Sequence, residues 1–340
     1  MITTNLIRPS ILTLLIVIIM VGGWEFYLRQ KGVPISYDDA AELWSDKRAK
    51  VYGPSDGATV FIGSSRIKYD LDINTWRKIT GKDAIQLAME GNSPLTILED
   101  LGNDPEFKGN LVVDITEELF FALAPPYNTQ PQGNINYYHK ETYAQKASFQ
   151  LSHIVESHFV FLNKKFLSLN AVLDNLSIPN RPGVMGEPRF PMDFWCVDFD
   201  RQDRMSSRFL TDKDLQHRVT DVWSFFLGIF QSLPPPKDNP VPVVLQKAKH
   251  AVDKIRARGG DVLFIRTPSS GYFWEKEQLL FKKERFWNPL IVTTHCKGIY
   301  FTDYPTINQF KCIEWSHLSP AQAVVFTTEF IKLLPQSFVN

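Results

Sequence analysis

The sequence predicts an α/β fold, a three-layer sandwich around a mostly parallel sheet, preceded by one N-terminal transmembrane helix. Three observations carry this prediction. Short β-branched apolar runs alternate with helical patterns from residue 58 onward. Several of those helices carry their own start and stop residues. Ahead of them lies an apolar stretch with no charge between Arg8 and Glu25.

That stretch runs ILTLLIVIIMVGG from Ile11 to Gly23, then continues through Trp24, Phe26, Tyr27 and Leu28. About 17 apolar residues is the minimum for crossing a bilayer. Residues 11–28 therefore read as an anchor behind a 1–10 tail, with Trp24 and Tyr27 placed as interfacial aromatics. A cleaved signal peptide is the competing reading, because Val21-Gly22-Gly23 resembles a cleavage site. Arg8 favours an inside N-terminus, whereas Arg29 and Lys31 weaken that assignment.

Residues 29–57 are polar and mixed in charge, a stalk with a short helix over 38–50. The main domain spans 58–335. Its strands are predicted at 58–62 (ATVFI), 84–88 (AIQLA), 110–115 (NLVVDI), 261–265 (DVLFI) and 298–301 (GIYF). Ser93-Pro94 starts a helix over 95–102, and 247–257 is a helix closed by Gly259-Gly260. A last helix spans 320–334: Ser319 caps it, Pro320 takes its first position and Gln322 completes a capping box. Ala323, Phe326, Phe330 and Leu334 share one of its faces. An insertion at 121–240 interrupts the alternation with a Pro/Asn/Gln-rich segment, an amphipathic run over 148–173 and a Pro-rich loop at 178–191. Its last piece, VWSFFLGIF at 222–230, is too short to span a bilayer and reads as core.

Composition excludes several classes. Of 340 residues, 44% are hydrophobic, enough for a core and against global disorder. Lys+Arg and Asp+Glu are both 37, so no basic excess supports nucleic-acid binding. Cys196, Cys296 and Cys312 form no CxxC and no disulfide framework. His153 and His158 are five apart, one more than the spacing that puts two ligands on one helical face. We therefore expect no metal and no cofactor.

Two short segments carry chemistry. Gly63-Ser64-Ser65-Arg66 follows the first strand directly, so a serine is placed at the functional edge of a parallel sheet. Glu314-Trp315-Ser316-His317 precedes the last helix. An acid three residues before a histidine can orient one ring nitrogen and leave the other to take a serine proton.

Together these segments resemble the SGNH (GDSL-like) hydrolases, over about 58–335 with 121–240 poorly matched. The resemblance implies a flavodoxin-like sheet. It also implies Ser65 as nucleophile, His317 as base and Glu314 as its orienting acid, with Glu in place of the usual Asp. The Ser65 and Gly91 N–H groups would receive the oxyanion. The third family block, Gly-x-Asn, is missing: the chain continues Thr116-Glu117-Glu118 after its third strand. Losing one oxyanion donor costs ~2.7–4 kcal/mol of transition-state stabilisation. Asn92, beside Gly91, is the substitute we expect, while Asp114 and Glu117 are expected to face solvent. Arg266, at the exit of the 261–265 strand, is a candidate for an anionic substrate group, against a structural ion pair.

GSSRIKYDLD, LAMEGNSPL, RARGGDVLFIRTPSSG and EWSHLSPAQA are together similar to membrane-anchored bacterial SGNH-like proteins. Some such relatives handle O-acyl groups of the cell envelope. The expectation is then a serine esterase or O-acyltransferase. It would sit in the cytoplasmic membrane with its globular domain outside. Its substrate would be an ester or acylated glycan, and its partners envelope acylation proteins. The alternative is an inactive protein of the same fold, a glycan-binding module or scaffold, which the missing Gly-x-Asn favours.

Overall fold

The computed structural model describes residues 6–52, 58–123, 127–163, 173, 188–232 and 239–339. Five short apolar segments form one sheet: β1 (Ala58–Ile62), β2 (Asp83–Gln86), β3 (Asn110–Asp114), β6 (Asp261–Arg266) and β7 (Lys297–Tyr300), in the order β2-β1-β3-β6-β7. Every pairing is parallel, with Val60 opposite Leu111, Val112 opposite Leu263 and Ile265 opposite Ile299. Near-continuous burial along each strand follows from covering both faces of a parallel sheet. The strand order reverses direction at β1, so the crevice beyond the carboxyl ends of β1 and β3 is the expected ligand position.

Helices pack in two groups. The first comprises α3 (Ser65–Asp70), α4 (Ile73–Thr80) and α14 (Pro320–Leu333), with Trp76 between Phe61 of β1 and Phe330. The second comprises α5 (Leu95–Asn103), α11 (Val241–Ala257) and α13 (Trp287–Thr294). The capping box expected at Ser319 and Gln322 forms, with Pro320 opening the helix. α5 starts at Leu95 as expected, with Pro94 in place of Ser93 as the N-cap, and the Ser93 hydroxyl accepts the Leu95 N–H at 3.4 Å.

The segment expected as a stalk is partly docked. α2 (Ala41–Arg48) buries Trp44 and Arg48 completely. The Trp44 indole donates to the Leu87 carbonyl at 3.0 Å, and Arg48 donates to Asp100 and Asp104 of α5 at 3.0 and 2.7 Å. Residues 53–57 of that segment lie outside the described residues.

The insertion supplies α7 (Thr129–Lys140), α8 (Tyr143–Glu156), an antiparallel hairpin of β4 (Trp195–Val197) and β5 (Asp203–Met205), α9 (Ser207–Thr211) and α10 (Lys213–Ser232). The Pro/Asn/Gln-rich segment becomes α7. Its Pro131 falls in the first turn, where a missing N–H breaks no intrahelical bond. Phe194, Met205, Phe209, Leu215 and Val219 make a second apolar cluster around Tyr69 of α3. The amphipathic run expected over 148–173 is an α-helix to Glu156 followed by a 3-10 turn at Val160–Leu162, with 164–172 outside the described residues, and the Pro-rich loop is described only from residue 188.

α1 (Ile7–Gln30) is the one helix among the described residues long and apolar enough to cross a membrane, and of its side chains only Leu28 is buried. Its end is tied to the insertion. The Glu25 carboxylate accepts the Val160 and Phe161 N–H groups at 3.1 and 2.9 Å, and Arg29 donates to the His158 carbonyl at 2.7 Å.

Two outcomes are expected. A Cβ on Gly102 would sit 2.8 Å from the backbone of Ala251, at the closest approach of α5 and α11. Gly→Ala inside a helix ordinarily stabilises by roughly 0.5–1 kcal/mol. Here Gly102→Ala should destabilise by about 1–3 kcal/mol in denaturant unfolding, from overpacking; a stabilised variant would contradict the close approach. The full-length chain should also stay with the membrane through high-salt and carbonate washes, since salt does not screen apolar insertion. Recovery of a soluble chain beginning near Trp24 would show cleavage instead.

Candidate active site

The site is built at the exit of β1. Gly63 is required there, because a Cβ would lie 2.7 Å from Ile67 and 2.8 Å from Asp114. Ser64 is extended and caps α3, and Ser65 is its first residue. The Ser65 N–H therefore has no intrahelical partner. Facing it, the loop before α14 turns through Trp315 at φ +77°, fixed by a 2.8 Å bond from the Ser270 N–H to the Trp315 carbonyl.

This loop brings the three expected residues into one hydrogen-bonded chain. His317 Nε2 lies 2.8 Å from Ser65 Oγ, and His317 Nδ1 lies 2.8 Å from Glu314 Oε1. Glu314 Oε1 also accepts the His317 backbone N–H at 2.7 Å, and Oε2 accepts the Trp223 indole N–H at 2.5 Å. The carboxylate selects the Nδ1–H tautomer, which leaves the Nε2 lone pair toward the serine. Tyr69 stacks on the imidazole at 4.2 Å and 24°. One oxygen of Glu314 thus orients the ring, and Trp223 of the insertion fixes the other.

The expected oxyanion donors are arranged differently. Gly91 adopts φ +66° after β2, and its N–H donates to Ser64 Oγ at 3.1 Å. Asn92 uses both amide hydrogens, on the Glu90 carbonyl at 2.7 Å and on Gln130 Oε1 of α7 at 2.9 Å. Asn92 is therefore held as a brace between the β2 exit and the insertion, and it has no hydrogen left for an oxyanion.

The acidic third block is likewise corrected. Asp114 and Glu117 do not face solvent: both are buried, and burial pushes both carboxyls above their ordinary range. Asp114 accepts from Thr267 N and Oγ1 at 3.2 and 3.0 Å, and Glu117 accepts from Arg266 at 3.0 Å. Arg266 is fully buried, donating to Glu117, Glu277, Ser269 and the Thr267 carbonyl, and it does not line the cavity. The structural ion pair is its arrangement. The arginine beside Ser65 is Arg66, which bonds Glu277 and Ser316, while its Nη1 has no partner.

Ser65 and His317 open on a cavity of about 420 Å³. Its walls are mostly aromatic and aliphatic: Tyr69, Leu119, Phe190, Phe194, Trp195, Trp223, Phe226, Leu227 and Phe273. Phe194, Val222 and Leu227 are buried as the sequence leads one to expect of core, and Phe194, Trp195, Trp223, Phe226 and Leu227 also wall this cavity. The usable signal for the wall was the length of the VWSFFLGIF run, longer than one buried helix face needs. Glu118 is a residue that sequence reasoning missed. It lines the cavity, and burial, with the charge of Glu277, pushes its carboxyl up to about 7.

No family model matches this chain, and no curated protein matches it.

Glu118 yields a signed expectation. Its folded pKa is raised from 4.5 to about 7, so the fold holds its proton more tightly than the unfolded chain does. Its contribution to stability therefore falls as pH rises from about 4.5 through 7. Glu118→Gln removes that loss. Its gain in thermal midpoint over the native chain should be larger at pH 8 than at pH 5; an equal gain at both would place the carboxyl in its ordinary range.

Proposed function

We propose that this chain is an SGNH-like serine esterase or O-acyltransferase, held at the bacterial cytoplasmic membrane by α1 with its globular domain outside. The two helix groups would flank the sheet as a three-layer sandwich. The observation that carries the reading is the unbroken Ser65–His317–Glu314 relay opening on an apolar cavity. The substrate is an ester whose acyl group is apolar, since aromatic walls favour a hydrocarbon chain over a polar sugar. The alcohol side would be the polar partner, such as an envelope glycan.

Ser65 Oγ attacks the ester carbonyl while His317 Nε2 takes its proton. The tetrahedral intermediate expels an alkoxide, which takes that proton from His317 and leaves an acyl-serine. Water then gives hydrolysis, and a second hydroxyl gives transfer. Glu314 holds the ring and stabilises the imidazolium. The Ser65 N–H is one oxyanion donor. Ser64 supplies a second: its oxygen accepts the Gly91 N–H, which leaves its own proton to donate toward the cavity that it lines. Ser64 would then stand where the family has asparagine.

A second reading has its own support. The engaged Asn92 amide and the absent Gly-x-Asn favour an inactive envelope protein that keeps the cavity as a binding module or scaffold.

Kinetics on a homologous series of aryl esters, from acetate upward, separates these. Each added methylene should raise kcat/KM about fourfold, from ~0.8 kcal/mol of burial, until the cavity is full. Ser65→Ala and His317→Ala should be equally inactive, with no further loss in the double variant, and Glu314→Gln should retain partial activity. Ser64→Ala should lower kcat by ~10²–10³ with little change in KM. Turnover independent of chain length would reject the apolar acyl group. A folded wild type inactive on the whole series would support the binding module.

A further inference from the structure

Among the described residues, α8 is held along one side, where Gln150 also donates to Asp46 of α2 at 3.5 Å. Phe149 and His153 stack on Phe199 at 6.5 and 4.8 Å. No residue of α8 is buried. At about 100° per residue, Tyr143, Ala147, Leu151 and Ile154 fall within about 80° of one another, on a stripe centred roughly 140° from the Phe149–His153 side. Tyr143, Leu151 and Ile154 are 93%, 69% and 53% exposed. An apolar stripe pointing away from the protein is costly in water unless something covers it.

The position of the stripe identifies the cover. α1 has 24 residues, about 36 Å of helix, which exceeds the ~30 Å hydrocarbon core. Its last turns, with Trp24 and Tyr27 stacked at 5.4 Å, therefore lie at the headgroup level. There Glu25 and Arg29 hold the backbone of His158, Val160 and Phe161. α8 ends at Glu156, only a few residues before that clamp. Phe159, between helix and clamp, is itself 43% exposed.

We infer that α8 is an interfacial helix, laid on the leaflet from which α1 emerges, with Tyr143, Ala147, Leu151 and Ile154 turned into the lipid. The inference rests on α1 spanning the bilayer and not on the catalytic reading. Such helices sit ~5–10 Å into the headgroup–acyl boundary, held by an apolar face. Two attachments, α1 and α8, then fix the orientation of the globular domain relative to the membrane, where a single helix would leave it free to rotate and tilt. The other occupants of such a face, a second copy or a different protein, lack a comparable link to it.

The test is site-directed nitroxide labelling of the full-length chain in nanodiscs, one protein per disc, with Cys196→Ser to remove the partly exposed native thiol. Labels are placed singly at Leu151→Cys and Ile154→Cys, and outside the stripe at Ser152→Cys and Lys146→Cys. Accessibility to oxygen should exceed accessibility to a water-soluble nickel chelate at 151 and 154, with the order reversed at 146 and 152. Nickel-accessible labels at all four positions would overturn the proposal. So would spin–spin broadening at 151 and 154 in discs loaded with two chains, combined with nickel accessibility in single-chain discs, because that would assign the face to a second copy. Release by carbonate would instead show that α1 is not an anchor, a failure distinct from either.

Discussion

The carboxylate of Glu314 is the constraint from which the site follows. It is fully buried, and a buried carboxylate persists only where its lone pairs are satisfied. One oxygen takes both N–H groups of His317, from backbone and ring, which sets the imidazole in a single pose. The other takes the indole of Trp223, which belongs to the insertion. The ion that orients the base therefore also positions α10. The rest of that helix then supplies Phe226 and Leu227 to the cavity wall. The pose of the imidazole and the cavity wall are coupled through one side chain, so the insertion belongs to the site and is not an appendage to it.

Beneath the β1 exit, a second set of buried charges keeps the sheet edge rigid. Arg66 and Arg266 converge on Glu277, and Arg266 also binds Glu117. Burial works against Glu277 ionising, and the two guanidiniums outweigh it, holding its carboxyl below the ordinary range. Removing one partner from such a group leaves a buried charge uncompensated, which typically costs 3–5 kcal/mol. The group joins α3, β6, α6 (Glu117–Phe120) and α12 (Gly271–Leu280), so the element that bears Ser65 is cross-braced to three others. Glu118, next to Glu117 but facing the cavity, feels the negative side of that cluster and keeps its proton to higher pH.

The parts legible in the sequence were those that local chemistry determines. Apolar runs of four to six residues fixed the parallel strands to within a residue or two, because a strand buried on both faces has no polar alternation to blur its limits. Ser319, Pro320 and Gln322 marked a helix start whose bonds are all within four residues. Ser65 was nameable because it lies at a strand exit, and Glu314 and His317 because their three-residue spacing lets the acid reach the ring. What stayed hidden was long-range. Nothing local to Asn92 announces Gln130 as its partner, and nothing near Arg266 announces Glu277. Trp44 and Arg48 looked like stalk residues because their partners, Leu87, Asp100 and Asp104, lie some 40 to 60 residues away. Trp223 looked like core because its one polar atom finds an acceptor 91 residues on.

The central claim is that Ser65 is an activated nucleophile. Its direct test is reaction of the full-length protein, in detergent or nanodiscs, with a fluorophosphonate probe, followed by mass spectrometry of the modified peptide. An ordinary serine hydroxyl is inert to such a probe, whereas one that hands its proton to an oriented imidazole is not. The account expects stoichiometric modification of Ser65 alone, lost in His317→Ala. A folded protein that stays unmodified at Ser65, or that is modified equally without His317, would contradict it.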